Sequence, residues 1–165
     1  SKRKGAHYLP EIARFLKDES VVLLIAGDGP ERKDLEFRIQ NLGLQDKVRF
    51  LGRIPNNEIQ DYFGISDLFI MPSEEEGFPH VLLEAMASGI PFVAFDVGGI
   101  REISPPEFSR YLAASNNLPV FVERVKELLR LDSDNLEILR QAELKWVQQF
   151  DIKLAVERFK KLLYI

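Results

Sequence analysis

No cysteine occurs in the chain, which removes disulfides, thiol catalysis and cysteine-based zinc sites together. Histidine is scarce. His7 and His80 are the two present and lie far apart, which disfavours a His-rich metal centre. Long apolar runs are missing. Val21 to Ala26 is representative, far short of the ~20 residues a membrane span requires. The basic opening Ser1-Lys2-Arg3-Lys4 is followed by no apolar stretch, so no signal peptide is read there, and the expected location is cytoplasmic. An excess of positive charge is lacking too. Lys plus Arg is 22 against 26 Asp plus Glu, a net charge of −4, which argues against a nucleic-acid grip. What remains is an ordinary globular composition: 165 residues, 45% hydrophobic and 29% charged. That suits one domain with its own core and excludes global disorder. The start lacks Met and opens mid-pattern, as a fragment would.

Short apolar runs alternate with segments of helical period. Leu9, Ile12, Ala13 and Leu16 follow helical spacing, as do Leu35, Ile39 and Leu42 before Gly43. Val21–Ala26, closed by Gly27-Asp28-Gly29-Pro30, reads as a strand buried on both faces, as in parallel sheets. Val48–Leu51, Leu68–Met71 and Phe92–Phe95 read as further strands. Ile59, Tyr62 and Phe63 mark a short helix. Pro79 to Ser88 reads as another, with Pro near its start and Gly89 past its end. This alternation implies βαβ units and an α/β, Rossmann-like doubly wound parallel sheet with helices on both faces. The last third is helical. Leu118 to Leu129 carries an apolar stripe behind Asn116-Asn117. Ser133 is the expected cap of a helix with Leu139, Ala142, Trp146 and Phe150. Asp151 is the expected cap of a last one with Ile152, Val156, Phe159 and Leu163.

In open α/β sheets, ligands bind outside the carboxyl ends of the strands. The loop from Pro72 to Pro79 is the most informative of those ends. Glu74, Glu75 and Glu76 stand in a row, Gly77-Phe78-Pro79-His80 follows, and Glu84 lies eight positions after Glu76. With Pro79 near the first helical position, the amides of His80 and Val81 fall in the first turn without helical partners. Such amides suit a phosphate, Gly77 permits close backbone approach, and a carboxylate at Glu84 can accept hydrogen bonds from a ribose diol. A plainer reading stands beside this one: three acids before a helix also stabilise its dipole and are commonly just solvated.

The motifs Val-Arg-Phe-Leu-Gly-Arg-Ile-Pro from Val48, Asp-Leu-Phe-Ile-Met-Pro-Ser from Asp67, Glu-Gly-Phe-Pro-His-Val-Leu-Leu-Glu-Ala-Met-Ala-Ser-Gly-Ile-Pro from Glu76, and Asp-Val-Gly-Gly-Ile-Arg-Glu from Asp96 occur in that order. The stretch Val48 to Ile103 resembles the C-terminal, nucleotide-sugar-binding domain of the GT-B glycosyltransferases, in particular the retaining family 4, or group 1, enzymes. Lys4-Gly5 resembles that family's Lys-Gly, and Ile25 to Pro30 its strand-end glycine loop. Glu76 and Glu84 occupy its E-x7-E pair.

The resemblance implies roles. Glu76 would contact the donor sugar and help stabilise its transition state, and Lys4 would neutralise the departing diphosphate. Gly77, Phe78 and Pro79 would line the sugar, with Pro79 lacking the N–H that a glycine offers in many relatives. The amides of His80 and Val81 would hold the diphosphate and Glu84 the ribose. Arg53 and Ile54 would meet the base, and Gly27 and Gly29 would keep that side of the cleft open. The implied activity is hexose transfer from a UDP- or GDP-sugar to an acceptor hydroxyl, with no cofactor and no metal. The implied acceptor is a glycan, a lipid or a small molecule, with no nucleic acid as partner. The family carries a strand and an arginine just before its Lys-Gly, and an N-terminal acceptor domain. Residues 1–165 would then be the donor domain alone, inactive in transfer by itself, with membrane contact left to the intact enzyme. A GT-B epimerase or phosphorylase, a non-catalytic nucleotide-sugar module, and a plain structural domain are the alternatives.

Overall fold

The computed structural model describes residues 2–150. The expected helix from Ile152 to Leu163 lies outside the described residues. Among the described residues five strands are formed: β1 (Leu23–Ala26), β2 (Val48–Gly52), β3 (Phe69–Met71), β4 (Phe92–Asp96) and β5 (Leu112–Ala114). Before, between and after them run α1 (Leu9–Phe15), α2 (Arg32–Asn41), α3 (Ile59–Gly64), α4 (His80–Ala87), α5 (Ile100–Ile103), α6 (Leu118–Leu129) and α7 (Ser133–Val147). All strand pairing within the sheets is parallel, as the alternation of strands and helices requires.

Among the described residues the strands form two sheets. β1 pairs with β2, with Leu23 opposite Val48. β3, β4 and β5 form the other, with Phe69 opposite Phe92 and Ala94 opposite Leu112. The core is concentrated around β4. Phe92, Val93, Ala94 and Phe95 are completely buried, and the Phe92 ring stacks on Phe108 at 4.5 Å between centroids. This is the strand covered on both faces.

The expectation that Val21–Ala26 is buried on both faces is not met. β1 begins at Leu23 and alternates between half-buried and exposed residues. Its partner-free edge and that of β3 both line a cavity of about 630 Å³, whose wall includes Leu24, Ile25, Ala26, Phe69 and Ile70. Among the described residues no strand stands between them, and those residues line that space. The small core on the β1–β2 side consists of Ala13, Ile39, Leu44 and Val48.

Two helix starts also differ from the sequence reading. Pro79 is the N-cap of α4, in extended conformation, and His80 is the first helical residue. Asp132, not Ser133, caps α7: its carboxylate accepts the Asn135 amide at 2.8 Å. An extended residue with a short acceptor side chain is what an N-cap requires, and Ser133 is already helical. Asn117 caps α6, accepting the Val120 amide.

Candidate functional site

The site is built where the loop after β3 meets the start of α4. Inside α4 the first return bonds run from Leu82 and Leu83 to the Pro79 carbonyl, at 3.0 and 3.4 Å. The amides of His80 and Val81 precede them and have no carbonyl one turn earlier in the helix to bond. Glu84 is exposed, one helical turn beyond His80. Phe78 is half exposed and meets His80 edge-to-face, with ring centroids 5.4 Å apart.

The acidic triplet is not simply solvated. Each acid is met by a residue of the segment 3–8. Arg3 pairs with Glu75 at 2.9 Å. Lys4 Nζ donates to both carboxylate oxygens of Glu76, at 2.8 and 2.9 Å. The Tyr8 hydroxyl donates to Glu74 Oε1 at 2.8 Å, and His7 Nε2 lies 3.5 Å from the same oxygen. The Tyr8 hydroxyl also sits 2.6 Å from Asn116 Oδ1 in the loop after β5. Burial first, and then the bond to Glu74, push the Tyr8 phenol up to about 12, so it stays a donor throughout the ordinary pH range. A backbone bond from the Glu74 amide to the Arg3 carbonyl, 2.9 Å, ties the two segments together.

The central pair is asymmetric in a useful way. The Glu76 side chain is 6% exposed and that of Lys4 is 61% exposed. The carboxylate is therefore fixed and shielded, while the ammonium retains open surface on which to receive a second anion. A two-oxygen contact to a charged donor is strong and orienting.

Lys4, Glu76, Val81 and Ile54 all line the 630 Å³ cavity, so the structure brings these four together. Gly27 and Gly29 sit at the carboxyl end of β1 and have no other atoms within 4 Å of where a side chain would begin. The Gly27 amide donates to the Gly52 carbonyl at 2.7 Å, linking the turn after β1 to the end of β2. Arg53 is exposed immediately after β2. Arg53, Gly27, Gly29, Gly77, Phe78, Pro79, His80 and Glu84 are not part of that cavity's wall.

Sequence reasoning missed Arg3, His7, Tyr8, Asn116 and the pairing of Glu74 and Glu75. The signal was faint: a basic opening and an acidic triplet of opposite sign, separated by about seventy residues. No helix among the described residues is long and apolar enough to cross a membrane.

Comparison with known proteins agrees with this architecture. The chain is 31% identical over 165 residues to a 2-deoxystreptamine glucosyltransferase of Streptomyces kanamyceticus, covering 98% of this chain and 42% of that protein. It is 30% identical over 152 residues to the N-acetyl-alpha-D-glucosaminyl L-malate synthase of Bacillus anthracis, covering 92% and 39%. The chain thus spans about two fifths of the length of these curated relatives. Among solved structures, Anabaena Alr3699/HepE in complex with UDP-glucose superposes with a TM-score of 0.83 at 26% identity, over 100% of this chain and 46% of that one. The complex of the same protein with UDP gives 0.84. Residues 1–146 match the family described as "Glycosyl transferases group 1". The strand-end site, the parallel α/β layers and these matches together make the chain a member of the group 1 glycosyltransferases.

Proposed function

We propose that the chain is the donor-binding domain of a retaining glycosyltransferase that moves a hexose from a UDP- or GDP-sugar to an acceptor hydroxyl. The observation that carries this reading is the Lys4–Glu76 pair at the foot of α4, with a shielded carboxylate and an open ammonium. Similarity to a protein solved with UDP and with UDP-glucose supports a uridine nucleotide as the first choice.

In this reading the amides of His80 and Val81 and the ammonium of Lys4 receive the diphosphate. Transfer breaks the anomeric C–O bond, and the pair of electrons leaves with the diphosphate. Donors fixed beforehand stabilise that charge with little reorganisation, and none of these groups is a metal. Glu76 holds the sugar's hydroxyls and favours the cationic ring that develops. Retention follows if the acceptor attacks the face the diphosphate has just left and passes its proton to a departing phosphate oxygen. Glu84 accepts hydrogen bonds from the ribose, Arg53 and Ile54 border the base, and Gly27 and Gly29 leave that side open.

The two sheets fit the same proposal. The His80 and Val81 amides come from the β3–β5 unit, Lys4 from the segment before α1, and the base-side groups from the β1–β2 unit. A strand entering the cavity between β1 and β3, from polypeptide preceding Ser1 in a longer protein, would join the two. An acceptor domain would lie in that same additional length. The chain by itself then binds nucleotide and transfers no sugar.

Calorimetric titration with UDP and with GDP tests the proposal. Heat from one of them at millimolar concentration or below, weakened by Glu84→Gln, is the expected result. No heat from either would refute it. In the longer enzyme Glu76→Gln should lower turnover with little change in UDP affinity. Product formation without an acceptor would point to an epimerase instead.

A further inference from the structure

The loop that carries Glu76 is gripped from two sides by backbone. On one side lies Gly5, whose left-handed φ is +68°; a Cβ there would fall 1.7 Å from the Pro72 carbonyl oxygen. On the other lies the turn after β4. Gly98 has φ +52°, and a Cβ on it would fall 1.6 Å from the Glu76 carbonyl oxygen. A Cβ on Gly99 would fall 2.5 Å from the Gly77 carbonyl oxygen. All three obstacles are backbone atoms, which cannot swing aside as a side chain can. Residues 72–77 therefore run between two walls of peptide, with no room for a methyl group at these three points.

The far wall is rigid. It follows the completely buried residues Phe92–Phe95. Backbone bonds cross it from Val97 to Phe95, from Ile100 to Val97 and from Ile103 to Gly99. The Arg101 guanidinium also closes on the Asp96 carboxylate across the turn. The near wall is tied by the Glu74–Arg3 backbone bond and by the contacts of Arg3, Lys4 and Tyr8 with the three acids.

We propose that Gly98 and Gly99 are positioning residues. They set the backbone of Glu76 and Gly77, and so hold the Glu76 carboxylate at the sugar's place while leaving the diphosphate contacts of α4 untouched. This rests on the donor-site reading above. A methyl group at Gly98 must drive the Glu76 carbonyl back by more than an ångström to reach ordinary contact. Displacements of about 1 Å can cost about a hundredfold in a catalytic step.

Gly43 supplies the control. It shares the left-handed conformation, with φ +68°, yet has no other atoms within 4 Å of a Cβ. Gly43→Ala therefore carries the backbone strain without the push. The 165-residue chain is compared as wild type, Gly98→Ala, Gly99→Ala and Gly43→Ala, with Gly99→Ala as the milder clash should Gly98→Ala fail to fold.

Amide hydrogen exchange over residues 72–77 is read first, because it needs no ligand. The affinities for UDP and for UDP-glucose are read second. The expected result is exchange at 72–77 faster by about tenfold in the two turn variants only, with UDP affinity kept and the preference for UDP-glucose over UDP reduced by about tenfold. Unchanged exchange at 72–77 in a folded variant overturns the proposal. So does a uniform rise along the whole chain matching Gly43→Ala, or a local rise with an unaltered preference. If the wild type binds neither nucleotide, the donor-site reading fails, and the exchange data still decide whether the turn holds the loop.

Discussion

The two sheets of this domain are made by the same rule and stabilised very differently. In the β3–β5 unit, β4 has a paired neighbour on each side and a run of fully buried residues, Phe92 to Phe95. In the β1–β2 unit each strand has one paired neighbour among the described residues, and β1 leaves every second residue exposed. Burial of a parallel strand needs cover on both faces and company on both edges. β4 has both, and β1 has only part of each. The chemistry divides along the same line. Lys4 aside, the proposed phosphate and sugar groups stand on the well-packed unit, and the proposed base contacts stand on the lightly packed one. Groups that must stabilise developing charge gain most from a rigid support.

This contrast can be broken by substitution. Phe95 lies in β4 against Phe121, with centroids 4.9 Å apart, and meets the edge of Tyr8. Phe95→Ala should cost about 3–5 kcal/mol. Ile39→Ala in the small core should cost about 2 kcal/mol, the low end for such a change, because a lightly packed site relaxes. Denaturant unfolding of both variants checks the ordering, and equal losses would erase the distinction between the units.

A pH series sharpens it. Glu143 on α7 is fully buried, and neither carboxylate oxygen finds a partner among the described residues. Burial pushes its carboxyl from 4.5 up to about 9, with Arg140 opposing. The folded state therefore holds a proton that the unfolded chain releases. Stability from this group is complete below pH 4.5, declines as pH rises, and is lost above about 9. The slope contributed between those limits is at most about 1.4 kcal/mol per pH unit. Glu143→Gln should flatten it, as read by thermal unfolding from pH 5 to 9. A slope that survives the substitution would assign the effect elsewhere.

The smallest expected effect lies at a helix end of the larger unit. Asp132→Ala removes the α7 cap and should cost about 1 kcal/mol, whereas Ser133→Ala should cost little. A reversed order would restore the cap read from the sequence.

Much of the fold was legible because it follows local period. The apolar stripe of α6 and the runs at Val48 and Phe92 needed no tertiary information. β5 was not legible: Leu112–Ala114 is three residues behind Tyr111, too short to show a period. The break between β1 and β3 could not be read from strand periodicity, which reveals a strand and not its neighbours; only the family resemblance, with its further strand before the Lys-Gly, implied it. Near the candidate site, a helix beginning close to Pro79 was readable from Gly77, Pro79 and Gly89, one residue ahead of its actual start at His80. The partners of the acids were not, because Arg3, Lys4 and Tyr8 reach them across some seventy residues. The burial of Glu143 was invisible for the same reason, as an acid in a helix ordinarily faces solvent.

The central claim is that the opening turn of α4 grips a nucleotide's phosphates. Backbone amide NMR during a UDP titration tests it most directly. The account predicts that the His80 and Val81 amide signals move most, and saturate with the same affinity as the calorimetric heat. Saturable UDP binding that leaves those two signals in place would contradict it.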